Sequence, residues 1–118
     1  MAKAVPAIIY HMTTEESYAV DDGAGGYKPD YYDEEGFIHT CTEPEWVERI
    51  GARVFPPEAD ILLLELDTAR VRAEIIVEPA KDHWFPHIFG SLNRDAVLRS
   101  SVMGRDADGS PVFPPGWR

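Results

Sequence analysis

The chain has a single cysteine, Cys41, in 118 residues, so no disulfide can close within it. Such sparing use of cysteine fits a reducing compartment. Long apolar runs are also missing. The richest stretch, Ile61-Leu62-Leu63-Leu64, meets Glu65 at once, and nothing approaches the roughly 20 apolar residues of a membrane-spanning helix. Basic residues are few, 11 Lys and Arg against 21 Asp and Glu, and the net charge is −10. A field of that sign repels phosphate backbones and anionic lipid, which argues against nucleic-acid and membrane partners. Met1 through Pro6 lacks the charged and then apolar pattern of a secretory leader, and the expected location is the cytoplasm. There is no His-Glu-x-x-His and no Cys-x-x-Cys, and Pro86 between His83 and His87 opposes a helix that would align them, so no metal site is expected. The glycines of Asp22-Gly23-Ala24-Gly25-Gly26 have no apolar strand leading into them and read as a flexible loop, not a phosphate cradle.

What is present is an ordinary globular composition, 44% apolar and 11% aromatic, with no repeat or dividing linker. One domain over residues 1–118 is predicted, with a core in 7–102 and an irregular tail in 104–118. A chain this size buries roughly two-thirds of the surface of its unfolded form. Ala7–Met12 and Gly36–Cys41 read as short buried strands, Ile61–Leu66 as a central strand buried on both faces, and Ala73–Glu78 as a half-exposed strand. Ala96–Val102 reads as a last strand. Thr13 with Glu16, and Thr42 with Glu45, have the spacing of capping boxes. The second opens a helix with Trp46, Val47, Ile50 and Val54 along one face, ended by Pro56-Pro57. Trp84–Gly90 reads as an irregular aromatic segment. The expected class is α+β, a split antiparallel or mixed sheet with a few short helices.

The chemistry-bearing residues are histidines in apolar settings. Strand parity sets His11 on the face of Ile9, and His39 on that of Phe37 and Cys41. A buried imidazole must have its ring nitrogens paired, by backbone in a core or by a ligand in a cleft, and both readings stay open here. His87 lies between Phe85-Pro86 and Ile88-Phe89-Gly90, where aromatics beside a polar group suit either a wall for a flat ring or a loop pinned to the core. Glu78, just before this segment, is the favoured carboxylate, able to orient a ribose hydroxyl or to stabilise an oxocarbenium-like state. Cys41, beside a helix start and on the face of His39, is the basis of an alternative Cys-His nucleophile, its pKa lowered by the helix dipole. The acidic run Glu15–Glu35, eight acids against Lys28 alone, reads as a solvated face. His83 is expected to be exposed.

Ile9-Tyr10-His11, Gly36-Phe37-Ile38-His39, and Glu78 with Phe85-Pro86-His87-Ile88-Phe89-Gly90, in that order around a Leu-rich strand, resemble the bacterial domain-of-unknown-function family numbered 952. The resemblance covers about Ala7 to Val102. It implies a fold similar to the ADP-ribosyltransferase superfamily, a split sheet around a cleft that holds NAD. It implies catalytic roles for His11, His39 and Glu78, and ligand contacts for Tyr10, Thr40, Phe85, His87, Phe89 and Gly90. Against that pattern, Phe89 stands where Tyr is usual, Tyr18 where Trp is frequent, and Cys41 near a usual Ser. The arginine set with which RNA 2′-phosphotransferases hold phosphates has no counterpart. The expected function is therefore binding of NAD or a related nucleotide, with cleavage or transfer at the ribose. The alternative is a non-catalytic module that binds a small metabolite or a protein in the same pocket.

Overall fold

The computed structural model describes residues 3–81 and 83–118. The expectation for Met1 through Pro6 falls partly on Met1 and Ala2, which lie outside the described residues. The first half runs β1 (Ile8–Thr13), α1 (Glu15–Ala19), β2 (Gly26–Tyr27), α2 (Tyr32–Glu35), β3 (Ile38–His39) and α3 (Pro44–Val54). The second half is nearly all strand: β4 (Leu62–Asp67), β5 (Glu74–Ala80), β6 (His83–Phe89), β7 (Leu92–Asn93), β8 (Val97–Val102), β9 (Gly104–Arg105) and β10 (Pro111–Val112). This is the α+β class, and each pairing between named strands is antiparallel rather than mixed.

Two three-stranded sheets carry the molecule, β1-β4-β8 and β3-β6-β5. They meet at one bridge, where Tyr10 and Cys41 exchange both backbone hydrogen bonds at 2.8 Å. β4 is central, as its composition predicts. Leu62, Leu64 and Leu66 face one core cluster, with Ile9, Tyr27, Ile38 and Ile88, while Leu63 faces a second, with Val47, Met103 and Phe113. Period-two alternation puts the leucines on both faces, and both faces are covered. Glu65 is buried beside Leu63 only because Arg99 grips it bidentately, Nε and Nη2 each at 3.0 Å.

Several local expectations are corrected. The first helix is capped by Thr14, whose hydroxyl accepts the Ser17 amide at 3.1 Å, and not by Thr13, which is buried. α3 begins after Glu43 with no side-chain cap, so Thr42 and Glu45 form no capping box. Val54 is exposed at the end of that helix, and the inward face is completed instead by Gly51. A Cβ on Gly51 would meet Met12 Sδ at 3.1 Å, which is why glycine stands in mid-helix. The Asp22–Gly26 loop is tied down: the Asp22 carboxylate takes the Ser91 hydroxyl and the amides of Ala24 and Gly26, which together hold its pKa down to about 2.

The aromatic segment is a strand, β6, paired along its length with β5. Pro86 suggested irregular backbone because it lacks an N–H, but the β3 ladder stops just before it, at His39 opposite His87. The Thr40 hydroxyl then donates to the Pro86 carbonyl at 2.6 Å. The tail is not irregular either. β9 and β10 form a hairpin that sets Phe113 into the second core, edge-on to Tyr10 at 5.1 Å. Trp117 folds back under Arg99, 4.5 Å from guanidinium to ring. Phe113→Ala is expected to destabilise the chain by about 3–5 kcal/mol, read as a lower urea midpoint at unchanged m-value. A loss below about 1 kcal/mol would show that the tail is not part of the core.

Candidate functional site

A cleft of about 520 Å³ opens where the two sheets part, between β1, the end of β3, β6 and the C-terminal turn of α3. Its walls are largely apolar, from Phe85, Ile50, Val54 and Phe55, with His39, His87 and Arg53 among its polar groups. That volume lies within the range of about 300–1,000 Å³ usual for small-molecule pockets.

His11 reaches the floor of this cleft but is 1% exposed, with both ring nitrogens engaged. Nδ1 is 2.7 Å from the His39 carbonyl, which can only accept, so Nδ1 carries the proton. Burial pushes the His11 pKa down to about 4 and keeps the ring neutral, which makes Nε2 the acceptor. The Tyr27 hydroxyl, 2.8 Å away, therefore gives its proton to Nε2, and the Thr13 hydroxyl at 2.9 Å closes the chain on the phenol oxygen. His11 thus holds the backbone of His39 and keeps no free nitrogen for a ribose.

His39 and His87 are set side by side by the β3–β6 register, with ring centroids 5.3 Å apart at 82°. Each has one nitrogen on a carboxylate: His39 Nε2 lies 2.8 Å from Glu35, and His87 Nδ1 lies 2.7 Å from Glu78. His39 is half-exposed, whereas the His87 side chain is only 14% exposed and stacks on Phe37 at 4.1 Å. The Tyr31 hydroxyl accepts the His39 amide at 2.9 Å and faces the same cleft.

Of the remaining sequence candidates, Tyr10, Thr40 and Phe85 line the cleft and Glu78 touches it through His87. Phe89 packs beside Phe37 at 5.4 Å and Gly90 lies against Ala73; neither is among the cleft residues. Gly90 has φ 154°, and a Cβ there would meet Ala73 Cβ at 2.8 Å. His83 is not exposed as expected: it stacks on Trp46 at 4.4 Å, its Nε2 buried without a hydrogen-bond partner among the described residues. Sequence reasoning missed Glu35, Tyr31 and Arg53. The signal for the first two was present, a pair of tyrosines inside the acidic run and a glutamate four residues before His39. The Cys41 alternative is corrected. The thiol is buried in the second core, and burial pushes its pKa up to about 12 where the helix-dipole argument expected a fall.

Two measurements test this description. His11 is lowered from 6.5 to about 4, so the unfolded chain takes up its proton first as pH falls. Its contribution to stability is complete above about pH 6.5 and is lost on acidification to about 4, about 3 kcal/mol in all. Urea midpoints of the native chain are expected to fall across that window, and those of His11→Gln to fall less; equal slopes would remove the buried neutral imidazole. A disulfide reagent at pH 8 is expected to modify Cys41 far more slowly in the native chain than in urea. Equal rates would mean an open thiol.

The family described as "Protein of unknown function (DUF952)" matches residues 12–100. A D-glycero-beta-D-manno-heptose-1,7-bisphosphate 7-phosphatase of Mesorhizobium japonicum is 45% identical over 51 residues, 42% of this chain and 24% of that protein. The chain therefore spans about a quarter of that relative. The crystal structure of protein CC0527 from Caulobacter crescentus superposes with a TM-score of 0.76 at 24% identity, covering 88% of this chain and 92% of that one. The solution structure of CC0527 gives 0.64 at 23% identity, covering 90% and 92%. These structures share the fold. With the family's pattern running through most of its length, the chain belongs to the DUF952 family.

Proposed function

We propose that the cleft binds NAD or a related nucleotide, with chemistry at the ribose. The observation that carries this reading is the pair His39 and His87. Each has one nitrogen held by a carboxylate, and among the described residues neither His39 Nδ1 nor His87 Nε2 has a hydrogen-bond partner. Two fixed polar atoms beside an apolar wall suit a sugar bearing adjacent hydroxyls, with a flat base against Phe85. Arg53 stands exposed at the rim, without an ion-pair partner among the described residues, and suits one phosphate group. The similarity in fold to the ADP-ribosyltransferase superfamily that the family resemblance implies supports the choice of NAD. The short likeness to a phosphatase named for a phosphorylated heptose adds phosphorylated sugars as a second kind of probe.

A second reading is a non-catalytic module that takes the same ligand. It is favoured by the carboxylates, since Glu35 and Glu78 are both engaged by imidazoles and neither stands alone to stabilise a cation. Isothermal titration with NAD, ADP-ribose and AMP separates these readings from their alternatives. Binding is expected, weakened at least tenfold in His39→Ala and in His87→Ala; absence of binding at millimolar ligand would remove nucleotides from the cleft. Binding with neither release of nicotinamide from NAD nor turnover of any other bound nucleotide would favour the module.

A further inference from the structure

We propose that His39 and His87 act as one acid–base pair on a phosphodiester of a ribose hydroxyl, a nucleoside cyclic phosphate being the simplest such substrate. This rests on the nucleotide reading of the cleft. Both rings are fixed for the task. Glu35 and Glu78 set which nitrogen of each ring is tied up and which faces the ligand. Phe37 stacks on His87, and the His39 backbone is held from both sides by Tyr31 and His11.

The number of imidazoles selects the bond. Nicotinamide leaves a ribose as a neutral molecule and needs no proton, so N-glycoside cleavage has no use for two proton-transfer groups. Hydrolysis of a phosphodiester uses both: the attacking water loses a proton, and the departing sugar oxygen gains one. The cations point the same way. Arg99 is held by Glu65, and Arg94 donates to the carbonyls of Tyr18, Val20 and Gly26, which leaves Arg53 for a single phosphate rather than a pyrophosphate.

The step follows from exposure. His39, half open to solvent, takes a proton from water as the water oxygen bonds to phosphorus. The bond from phosphorus to the ribose oxygen breaks, and protonated His87, deeper in the cleft, delivers its proton to that oxygen. The product is a nucleoside monophosphate with the other hydroxyl free, and proton exchange with solvent resets the pair.

The test uses the full chain with 2′,3′-cyclic AMP and 3′,5′-cyclic AMP, followed by phosphorus NMR, with AMP binding measured on the same preparation. Turnover of at least one cyclic nucleotide is expected, with a bell-shaped dependence of kcat/KM on pH. His39→Gln and His87→Gln are each expected to lose at least about 100-fold, and Glu35→Gln and Glu78→Gln about tenfold. Of the other titratable groups at the cleft, His11 titrates at about 4, Tyr31 and Cys41 at about 12, and burial raises Tyr10, so none of these four supplies a limb near neutral pH. Arg53 keeps its charge throughout. Bound AMP with no turnover of either cyclic nucleotide overturns the acid–base pair and leaves the nucleotide cleft standing. A flat pH profile, or full rates in both single-histidine variants, also overturns it. Absence of AMP binding overturns the reading beneath it. The profile of the unaltered chain decides the matter even where a variant fails to fold.

Discussion

His11 commits both ring nitrogens inside the fold, Nδ1 to the carbonyl of His39 and Nε2 to the hydroxyl of Tyr27. The two partners belong to different parts of the molecule. Tyr27 sits in the core beneath the central strand, and His39 sits on the short strand that borders the cleft. A neutral imidazole in a low-dielectric interior tolerates no unpaired nitrogen, so the position of His39 is coupled to the packing of β1, β2 and β3 together. The site therefore inherits its rigidity from the core. His39 can be half-exposed and still be placed, because its backbone is held from behind.

The charge of the chain tells a related story. With 21 acids and 11 bases, most arginines have structural employment. Arg99 compensates the buried Glu65, Arg94 satisfies three carbonyl oxygens around the Asp22 loop, and Arg105 holds the carbonyls of Pro56, Ala59 and Gly109. Acids from the same excess take opposite roles. Glu35 and Glu78 orient imidazoles at the cleft, while Glu45 and Arg49 form an exposed pair of a kind worth at most about 1 kcal/mol. Net charge alone separates none of these cases.

Regular hydrophobic pattern was legible in the sequence. The double-sided burial of β4, the inward parity of Ile9 and His11, and α3 with its stop at Pro56 all follow from periodicities of 2 and 3.6 residues. Positions where one local rule competes with another were not legible. Pro86 argued for a loop, and pairing with β5 overrode it. Thr13 had the spacing of a cap, but it is drawn into the His11–Tyr27 network and its neighbour Thr14 caps the helix instead. The Gly- and Pro-rich tail hid Phe113, since a lone aromatic carries no period.

The sequence by itself determined the class of fold, the family, the central strand and which histidines stand as candidate site residues. It did so because those features are local, lying in alternation, composition and short motifs. Only the tertiary structure decided which histidine does what. His11, His39 and His87 look alike in sequence, each an imidazole among apolar neighbours. Antiparallel register sets His39 beside His87, two carboxylates far apart along the chain reach their rings, and complete burial turns His11 from a ligand contact into a brace. Apart from the Glu35–His39 pair, four residues apart, those outcomes depend on contacts between residues 9 to 48 positions apart, and no local pattern encodes such contacts.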